Sequence, residues 1–499
     1  MKKIKLNLII PVVVVFLTTM ISSCDDDLER FPYDSIVTEQ AFETFADAQK
    51  WNNSFSAAFR GRVSGYVQYS TDLQADQLNA TTDFGNRNGF VHRWDGFLAA
   101  DGGIAAVWQN YYSGIRDINV ALAGFETFEF EDPDQVASLN VFRGNAYFAR
   151  AYYYFQLVNR YAKPYNPSTA STDLGVPLVL EYDVNALPSR STVADVYTQV
   201  LTDLQLAASA LSGEAGSQGS NYFNRDVVKA LEARIKLNMQ DWTGAKTAAD
   251  QLIASGTYPL ITTEAGLSNM WTNDFAQEVI YQPFLSAPDE LTNNTGGVYL
   301  GYDGGADVYT PDFLPSQWVI DMFDDADIRK NVYFLEPSVV RLQNGDFTGI
   351  TVVNKFPGNP ALFTGPNTNY QNAPKVFRIA EMYLISAEAA LNIPGGDAET
   401  PLNALRNARG IPSILSPVMQ DLKDERFKEL AFEGFRFDDL KRWGDGFSRK
   451  DPQNLATINT GAGYQALTKE ATDPKFIWAI PSRDLTVNPN LSDQQNPGW

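Results

Sequence analysis

RGNAYFARAYYYFQLVNRYAKPY, residues 143–165, is the stretch on which the fold turns. Gly144, Tyr147, Ala151, Tyr154, Val158 and Tyr161 recur at spacings of three and four, which lays them along one face of an α-helix. Phe148, Tyr152 and Phe155 form a second apolar stripe beside the first. A helix apolar on two faces packs between other helices rather than on a surface. Gly144, Ala146, Ala149 and Ala151 alternate with large rings, so neighbouring helices come close while the rings fill the gaps. Pro164 ends the helix, because proline disfavours the α conformation in the residue before it. The spacing predicts a buried core helix and assigns no chemistry to its tyrosines.

Helical periodicity extends on both sides. Residues 38–59 read as an amphipathic helix with Ala41, Phe42, Phe45, Ala48, Trp51, Asn52 and Phe55 inward, and 107–125 read as the next. Residues 192–211 open on a capping box, Thr192 with Asp195. Residues 225–239 with 243–255, and 376–391 with 398–409, make two helix pairs, each setting alanines against larger partners. Helix hairpins that recur along a chain predict stacked repeats of the tetratricopeptide kind, here degenerate. Residues 421–443 predict one more strong helix, ended by Gly444. The tail after it, rich in proline, is expected to lie over the surface, held by Phe476, Ile477 and Trp478.

Two regions break the period. Residues 65–103 and 257–375 mix Gly, Asn, Asp and aromatics, and read as loops, with one short helix at 317–323. Long loops on a rigid frame commonly carry function.

The amino terminus supplies an address. Lys2, Lys3 and Lys5 precede an apolar run from Leu6 to Met20, too short for a membrane span and shaped like a secretory signal. Ile21-Ser22-Ser23-Cys24 resembles a bacterial lipobox, which makes Cys24 the lipidated first residue of a mature chain covering 24–499. Several acyl chains on one cysteine anchor firmly where one chain does not. Cys24 is the only cysteine, so packing rather than disulfides must hold the fold. Asp25, Asp26 and Asp27 follow as an acidic tether of the sort that lipoproteins of the outer face can carry. A net charge of −21 argues against nucleic acid and against anionic lipid surfaces.

Most catalytic constellations are excluded by composition. With a single histidine, His92, multi-histidine metal centres cannot form. No cysteine remains in the fold for a thiol nucleophile, and no GxSxG elbow, P-loop or GxGxxG is present. His92 reads as a hydrogen-bonded loop residue. Asp324, Asp325 and Asp327 beside Arg329 and Lys330 read as a salt-bridged helix end. Glu425, Glu429 and Glu433 with Arg426, Lys428, Arg436 and Arg442 are spaced for i,i+3 and i,i+4 pairs, a structural charge network. No cofactor is called for. A structural calcium ion among loop Asp and Asn residues stays open, without EF-hand spacing behind it.

These pieces, in this order, resemble the SusD/RagB family of outer-membrane nutrient-binding lipoproteins. The resemblance rests on the lipobox at Cys24, on WQNYYSGIRDINVAL from Trp108 and on the central helix. It rests also on RIAEMYLISAEAALN from Arg378, LNALRNARG from Leu402, ERFKELAFEGFRFDDLKRWG from Glu425, and the closing IPSRDLTVNPNLSDQQNPGW. It implies a mainly α fold: tetratricopeptide-like helix pairs with a loop-rich, irregular lobe carrying the ligand site. It also implies a lipid-anchored place on the outer membrane facing the exterior, and a SusC-like TonB-dependent transporter as partner. Family ligands are usually glycans, with peptides for some members.

Within that frame the loop chemistry suits non-catalytic capture of an oligosaccharide. Sugar C–H faces stack on aromatic rings and sugar hydroxyls need Asn, Asp and Arg partners. One region offers Phe84, Asn86, Arg87, Phe90 and Trp94, and the other offers Tyr299, Tyr302, Asp303, Asp307 and Tyr309. Trp94 is expected to meet at least one of Tyr299, Tyr302 and Tyr309 on one exposed surface. Two alternatives stay open: a peptide ligand, or an α-helical glycoside hydrolase, which needs two carboxylates flanking a cleft.

Overall fold

The computed structural model describes residues 41–84 and 89–499. The signal segment and Cys24 lie outside that range. Twelve helices longer than two turns matter here: α1 (Phe45–Arg60), α2 (Tyr66–Gln74), α3 (Gly102–Phe125), α4 (Pro133–Tyr161), α5 (Val193–Ala210), α6 (Arg225–Asn238), α7 (Trp242–Ala254), α8 (Glu264–Thr272), α9 (Ile379–Leu391), α10 (Glu399–Ala408), α11 (Met419–Leu430) and α12 (Arg436–Trp443). Among the described residues no helix is long and apolar enough to cross a membrane.

The central helix, α4, is 29 residues long and begins ten residues before the quoted stretch. Asp132 caps it by accepting from the Asp134 N–H, and Pro133 sits in the first turn, where its missing N–H costs nothing. α1, α3 and α5 pack on α4. Both apolar stripes are enclosed, with Ala146, Phe148, Ala149, Ala151, Tyr154, Phe155 and Val158 all buried. The approach is close because glycines allow it. A Cβ at Gly144 would stand 2.8 Å from that of Ala210, and one at Gly114 would stand 2.6 Å from the Tyr153 ring. Arg150 interrupts the apolar pattern yet is buried. Its guanidinium donates to Asp203 Oδ2 and Oδ1 at 2.8 and 2.7 Å and to Asn119 Oδ1 at 2.8 Å, tying α4 to α5 and α3. α6 packs on α7, α7 on α9, and α9 on α10, so two helix pairs separated by the whole lobe stack against each other. The mainly α, helix-pair frame predicted from the spacing is therefore the observed one. The Thr192–Asp195 capping box of α5 is present, and Gly444 ends α12 in the left-handed region at φ 70°.

The structure corrects four expectations. α1 starts at Phe45, where Thr44 and Asp47 form a capping box, rather than at residue 38. Residues 65–103 are not a long loop. They hold α2, a strand at Leu78–Ala80 and a one-turn helix at Gly89–Arg93. Their polar sequence conceals burial, for Ser70, Thr71, Asp72, Gln74, Gln77 and Asn79 are all inside. Each finds a partner there: Gln77 donates to Asp72 at 2.7 Å, Thr71 to the Gly434 carbonyl at 2.9 Å, and Asn79 to Ser316 at 2.7 Å. The predicted helix over 421–443 is broken into α11 and α12. Phe432 turns to φ 65° so that its ring can pack on Tyr299 and Phe334, and Gly434 follows at φ 86°. A Cβ at Gly434 would stand 2.8 Å from the Gln68 carbonyl oxygen, so the break is where α2 passes. The tail does more than lie on the surface. Trp478 and Ile480 enter the main core while Ile477 is only half-buried, and the Trp478 indole N–H donates to Gln74 Oε1 at 2.8 Å.

The lobe is built from short strands and turns, with α8 as a helix the periodicity did not reveal. Leu78–Ala80 pairs antiparallel with Phe313–Pro315, and Val279–Tyr281 with Phe377–Arg378. The largest sheet has four strands, in the order Tyr302–Asp303, Val308–Tyr309, Val340–Leu342, Gly345–Phe347. Lobe and frame are joined by buried charge. Glu429 accepts from Arg378, Arg329 and Arg409 at 2.7, 3.0 and 2.9 Å, and Arg409 also donates to Glu278 at 2.7 Å. The charges read as local helix pairs are thus mainly long-range partners: Arg436 meets Asp76, Arg426 meets Asp439, and Arg442 meets Glu388. Asp327 holds Arg329 and Asp325 holds Lys330, the structural role expected of that group.

Candidate functional site

The hairpin from Tyr302 to Tyr309 builds an aromatic face from the turn upward. Gly301, at φ 53°, lets the chain leave a one-turn helix at Gly297–Leu300 and enter the first strand. Asp303 Oδ1 then accepts from the backbone N–H groups of Gly305 and Ala306 at 2.9 and 3.3 Å, which closes the turn. Asp307, itself at φ 52°, accepts from the Tyr302 hydroxyl at 2.9 Å. Antiparallel pairing sets Tyr302 opposite Tyr309, and their ring centroids lie 4.8 Å apart. Both rings are half-buried, while Asp303 and Asp307 are exposed at their rim. The Asp307 hydrogen bond raises the Tyr302 phenol, and burial and then Asp307 raise that of Tyr309, so both stay protonated. The Tyr302 backbone N–H donates to the Tyr370 hydroxyl at 2.5 Å.

The other loop region reaches this sheet through polar atoms. The Thr82 hydroxyl donates to Asn344 Oδ1 at 2.9 Å, and Asp83 accepts from the Gln343 N–H. Next to that hairpin, Arg341 and Asp346 form an exposed two-pronged pair at 2.8 and 2.9 Å. These contacts join Thr82 and Asp83 to Gln343 and Asn344, not Trp94 to the tyrosines.

Three predicted ligand contacts are corrected. Trp94 is 4% exposed and lies in a satellite core, ringed by Phe476, Phe447 and Phe437 at 5.0, 5.8 and 6.0 Å. Its indole N–H is spent on the Gln74 carbonyl at 2.8 Å. Tyr299 is fully buried between Phe356 and Phe432. Phe84 is buried edge-on against Phe313 and Tyr464. Each sits in a polar stretch of sequence and finds its apolar partners at distant positions. Trp94 therefore does not share a surface with the tyrosines. Phe90 is exposed, with the Arg93 guanidinium 5.6 Å over its ring. Asn86 and Arg87 lie outside the described residues.

His92 is hydrogen-bonded, as expected, but buried in the one-turn helix Gly89–Arg93 rather than in a loop. Its Nδ1 donates to the Leu73 carbonyl at 2.9 Å and its Nε2 accepts from Arg449 at 3.0 Å. Burial, then the nearby Arg449 charge, holds it well below the ordinary histidine range and hence neutral. The residues that sequence reasoning missed are Tyr370, Arg341 and Asn344. The Asn344-Gly345 pair between apolar strands was a legible hairpin signal. Nothing local marked Tyr370.

Comparison with known proteins covers nearly the whole chain. A family model described as "Starch-binding associating with outer membrane" matches residues 35–237, and one described as "SusD family" matches residues 315–499. SusD-like protein P38 of Formosa agariphila is 26% identical, over 98% of this chain and 99% of its own length. SusD-like protein P25 of the same organism is 24% identical, over 98% and 99%. Among solved structures, a SusD superfamily protein from Bacteroides thetaiotaomicron superposes with a TM-score of 0.77 at 27% identity, covering 91% of this chain and 100% of that one. Surface glycan-binding protein A from Bacteroides fluxus superposes with a TM-score of 0.68 at 19% identity, over 91% and 100%, and so shares the fold.

Proposed function

The chain belongs to the SusD/RagB family, and on that premise we propose that it captures an oligosaccharide at the cell surface without cleaving it. The observation that carries this reading is the Tyr302–Tyr309 pair, two half-exposed rings 4.8 Å apart with carboxylates at their rim. A sugar ring stacks its C–H face on such rings, and each ring contributes roughly 0.5–1.5 kcal/mol beyond area burial, by analogy with aromatic pairs. Asp303, Arg341 and Asp346 stand in the same sheet, with Asp307 in its turn, to meet hydroxyls. Non-catalysis is supported by how the carboxylates are used: Asp303 closes the turn and Asp307 holds Tyr302, whereas hydrolysis needs an acid and a base free to act on the bond. Thioether-linked lipid on Cys24 would hold the protein at the outer membrane, and a SusC-like TonB-dependent barrel would receive the glycan.

The test is binding of the purified protein across a panel of glycans and peptides. Tyr302→Ala and Tyr309→Ala should each weaken glycan binding about tenfold, a loss near 1.4 kcal/mol, with the fold unchanged. Undiminished affinity in the double variant would remove this face from the ligand site. Preferential capture of peptides would move the protein to the peptide-binding reading, and release of shortened glycan would move it to the hydrolases.

A further inference from the structure

A cleft of about 1520 Å³, counted with the solvent at its mouth, is lined by α11, α12 and the short helix Gln317–Asp321, together with Lys450 and Glu470. Neither Tyr302 nor Tyr309 lines it. Two of its rings form a platform. Trp318, half-buried, and Phe427 stack at 5.0 Å with their planes 26° apart. The chain already lays its own cations on these rings. Lys450 Nζ stands 4.6 Å from the Trp318 centroid, and the Arg436 guanidinium stands 5.0 Å from that of Phe427. Both lie within about 6 Å, the range over which a ring face attracts positive charge.

The charges that line the cleft do not balance. Arg436 donates to both oxygens of Asp76 at 2.9 and 2.8 Å, and Lys423 pairs with Asp445 at 2.5 Å. Three exposed carboxylates remain: Asp321, Asp424 and Glu470. Asp321 and Asp424 accept from the amides of Gln317 and Gln420, each at 2.8 Å. Among the described residues none of the three is paired with a cation, and Lys450 is paired with no carboxylate. Five carboxylates thus line the cleft against three cations.

The imbalance selects the ligand's chemistry. An anion would meet the excess negative charge. A neutral molecule would have to displace Lys450 from Trp318 and would leave the three carboxylates uncompensated. A bare metal ion needs several carboxylates around one point, and among the described residues no group of three or more His, Cys, Asp or Glu side chains could hold one. A guanidinium group fits. It is flat, so it stacks on an indole, and its forked N–H donors match a carboxylate. The cleft is larger than one side chain, which leaves room for flanking residues.

We propose that this cleft is a docking site for an arginine side chain on a basic peptide segment. The guanidinium exchanges for Lys450 over Trp318 and donates to the exposed carboxylates. The inference rests on the cleft alone and does not depend on the reading of the tyrosine face.

The experiment is calorimetric titration of the full-length protein in nonionic detergent at low salt. The probes are acetyl-Gly-Arg-Gly-amide, the same peptide with citrulline for arginine, methylguanidinium and methyl glucoside. Citrulline keeps the shape of arginine and removes its charge. The arginine peptide should bind, and the citrulline peptide should bind at least about tenfold more weakly. Methylguanidinium should bind more weakly than the arginine peptide, and methyl glucoside should not displace that peptide. Asp424→Asn with Glu470→Gln should weaken the arginine peptide about tenfold. Lys450→Ala should tighten it, because the ring is then uncovered, a direction that a purely structural lysine would not give. These three side chains are exposed, so melting temperatures should stay at the wild-type value. Tyr302→Ala with Tyr309→Ala should leave peptide binding unchanged, so failure here and failure of the glycan reading are told apart. Equal affinity for the citrulline peptide would overturn the proposal, as would displacement by methyl glucoside, undiminished binding in the carboxylate variant or weaker binding in Lys450→Ala. Methylguanidinium binding as tightly as the peptide would overturn the peptide segment in favour of a free cation.

Discussion

Tyr302 and Tyr309 owe their arrangement in part to the two carboxylates at their rim. Asp303 closes the turn and Asp307 fixes the Tyr302 hydroxyl, so the face is ordered without any ligand. Preorganisation of this kind lowers the entropy cost of binding. Trp94 shows the opposite use of a ring. Three phenylalanines enclose it edge-on, and its N–H is already engaged. Trp94→Ala should leave a cavity and cost about 3–5 kcal/mol, read from the urea unfolding midpoint. Glycan affinity per folded molecule should not change. A midpoint equal to wild type would mean that the ring is not packed as described.

At the scale of elements, α4 is held by small residues that permit contact and by the buried Arg150–Asp203 ion pair, which fixes rotation. Ala151 is completely enclosed. Ala151→Trp should therefore overpack the interface and destabilise by about 1–3 kcal/mol or more, visible as a lowered melting temperature. α11 is held differently. Three guanidinium groups meet the Glu429 carboxylate, and Lys355 and Arg378 donate to the Glu429 carbonyl, with Lys355 also on the Ala431 carbonyl at 2.8 Å. These cations satisfy the carbonyls that the end of the helix leaves free. Glu429→Gln keeps the shape but leaves the buried guanidinium groups short of negative charge, so a loss of roughly 3–5 kcal/mol is expected. The same carboxylate sets an acid limit. Burial alone would raise Glu429, but the charges of Arg409 and Arg378 outweigh it and hold it well below its ordinary value of 4.5. A depressed carboxylate contributes stability that is complete above the unfolded value and is lost as pH falls towards the folded one. Unfolding midpoints measured from neutral pH to below pH 4.5 should thus fall more steeply for wild type than for Glu429→Gln. Parallel profiles would refute the assignment.

At the scale of the molecule, the charge cluster joins parts far apart in sequence. Glu278 and Arg329 come from the lobe, Arg378 leads into α9, Arg409 follows α10, and Glu429 sits on α11. Lobe and frame should consequently unfold together, so that removing Glu429 weakens both. The proposed attachment of the whole protein is a separate matter and would be carried by one residue, Cys24. Cys24→Ala should abolish lipidation and release the protein from the membrane fraction, since no other cysteine exists. Continued fractionation with membranes would count against the lipobox reading.

The helical frame was legible because periodicity is local. A residue that recurs every three or four positions reports its own face, and the aromatic and alanine stripes of α4 needed nothing else. The capping box at Thr192, the glycine at 444 and the exclusion of histidine and cysteine chemistry were equally local. Burial of a polar or irregular stretch is not local. Ser70, Asp72 and Gln74 read as surface residues until Arg160 reaches Ser70, Gly434 and Gln77 reach Asp72, and Trp478 reaches Gln74. Trp94, Tyr299 and Phe84 read as exposed until phenylalanines from remote segments close over them. The charges of α11 read as helix-surface pairs until Arg329, Arg378 and Arg409 converge on Glu429. In each case the deciding partner is supplied by the tertiary fold, because desolvation depends on everything within a few ångströms and sequence distance does not measure that.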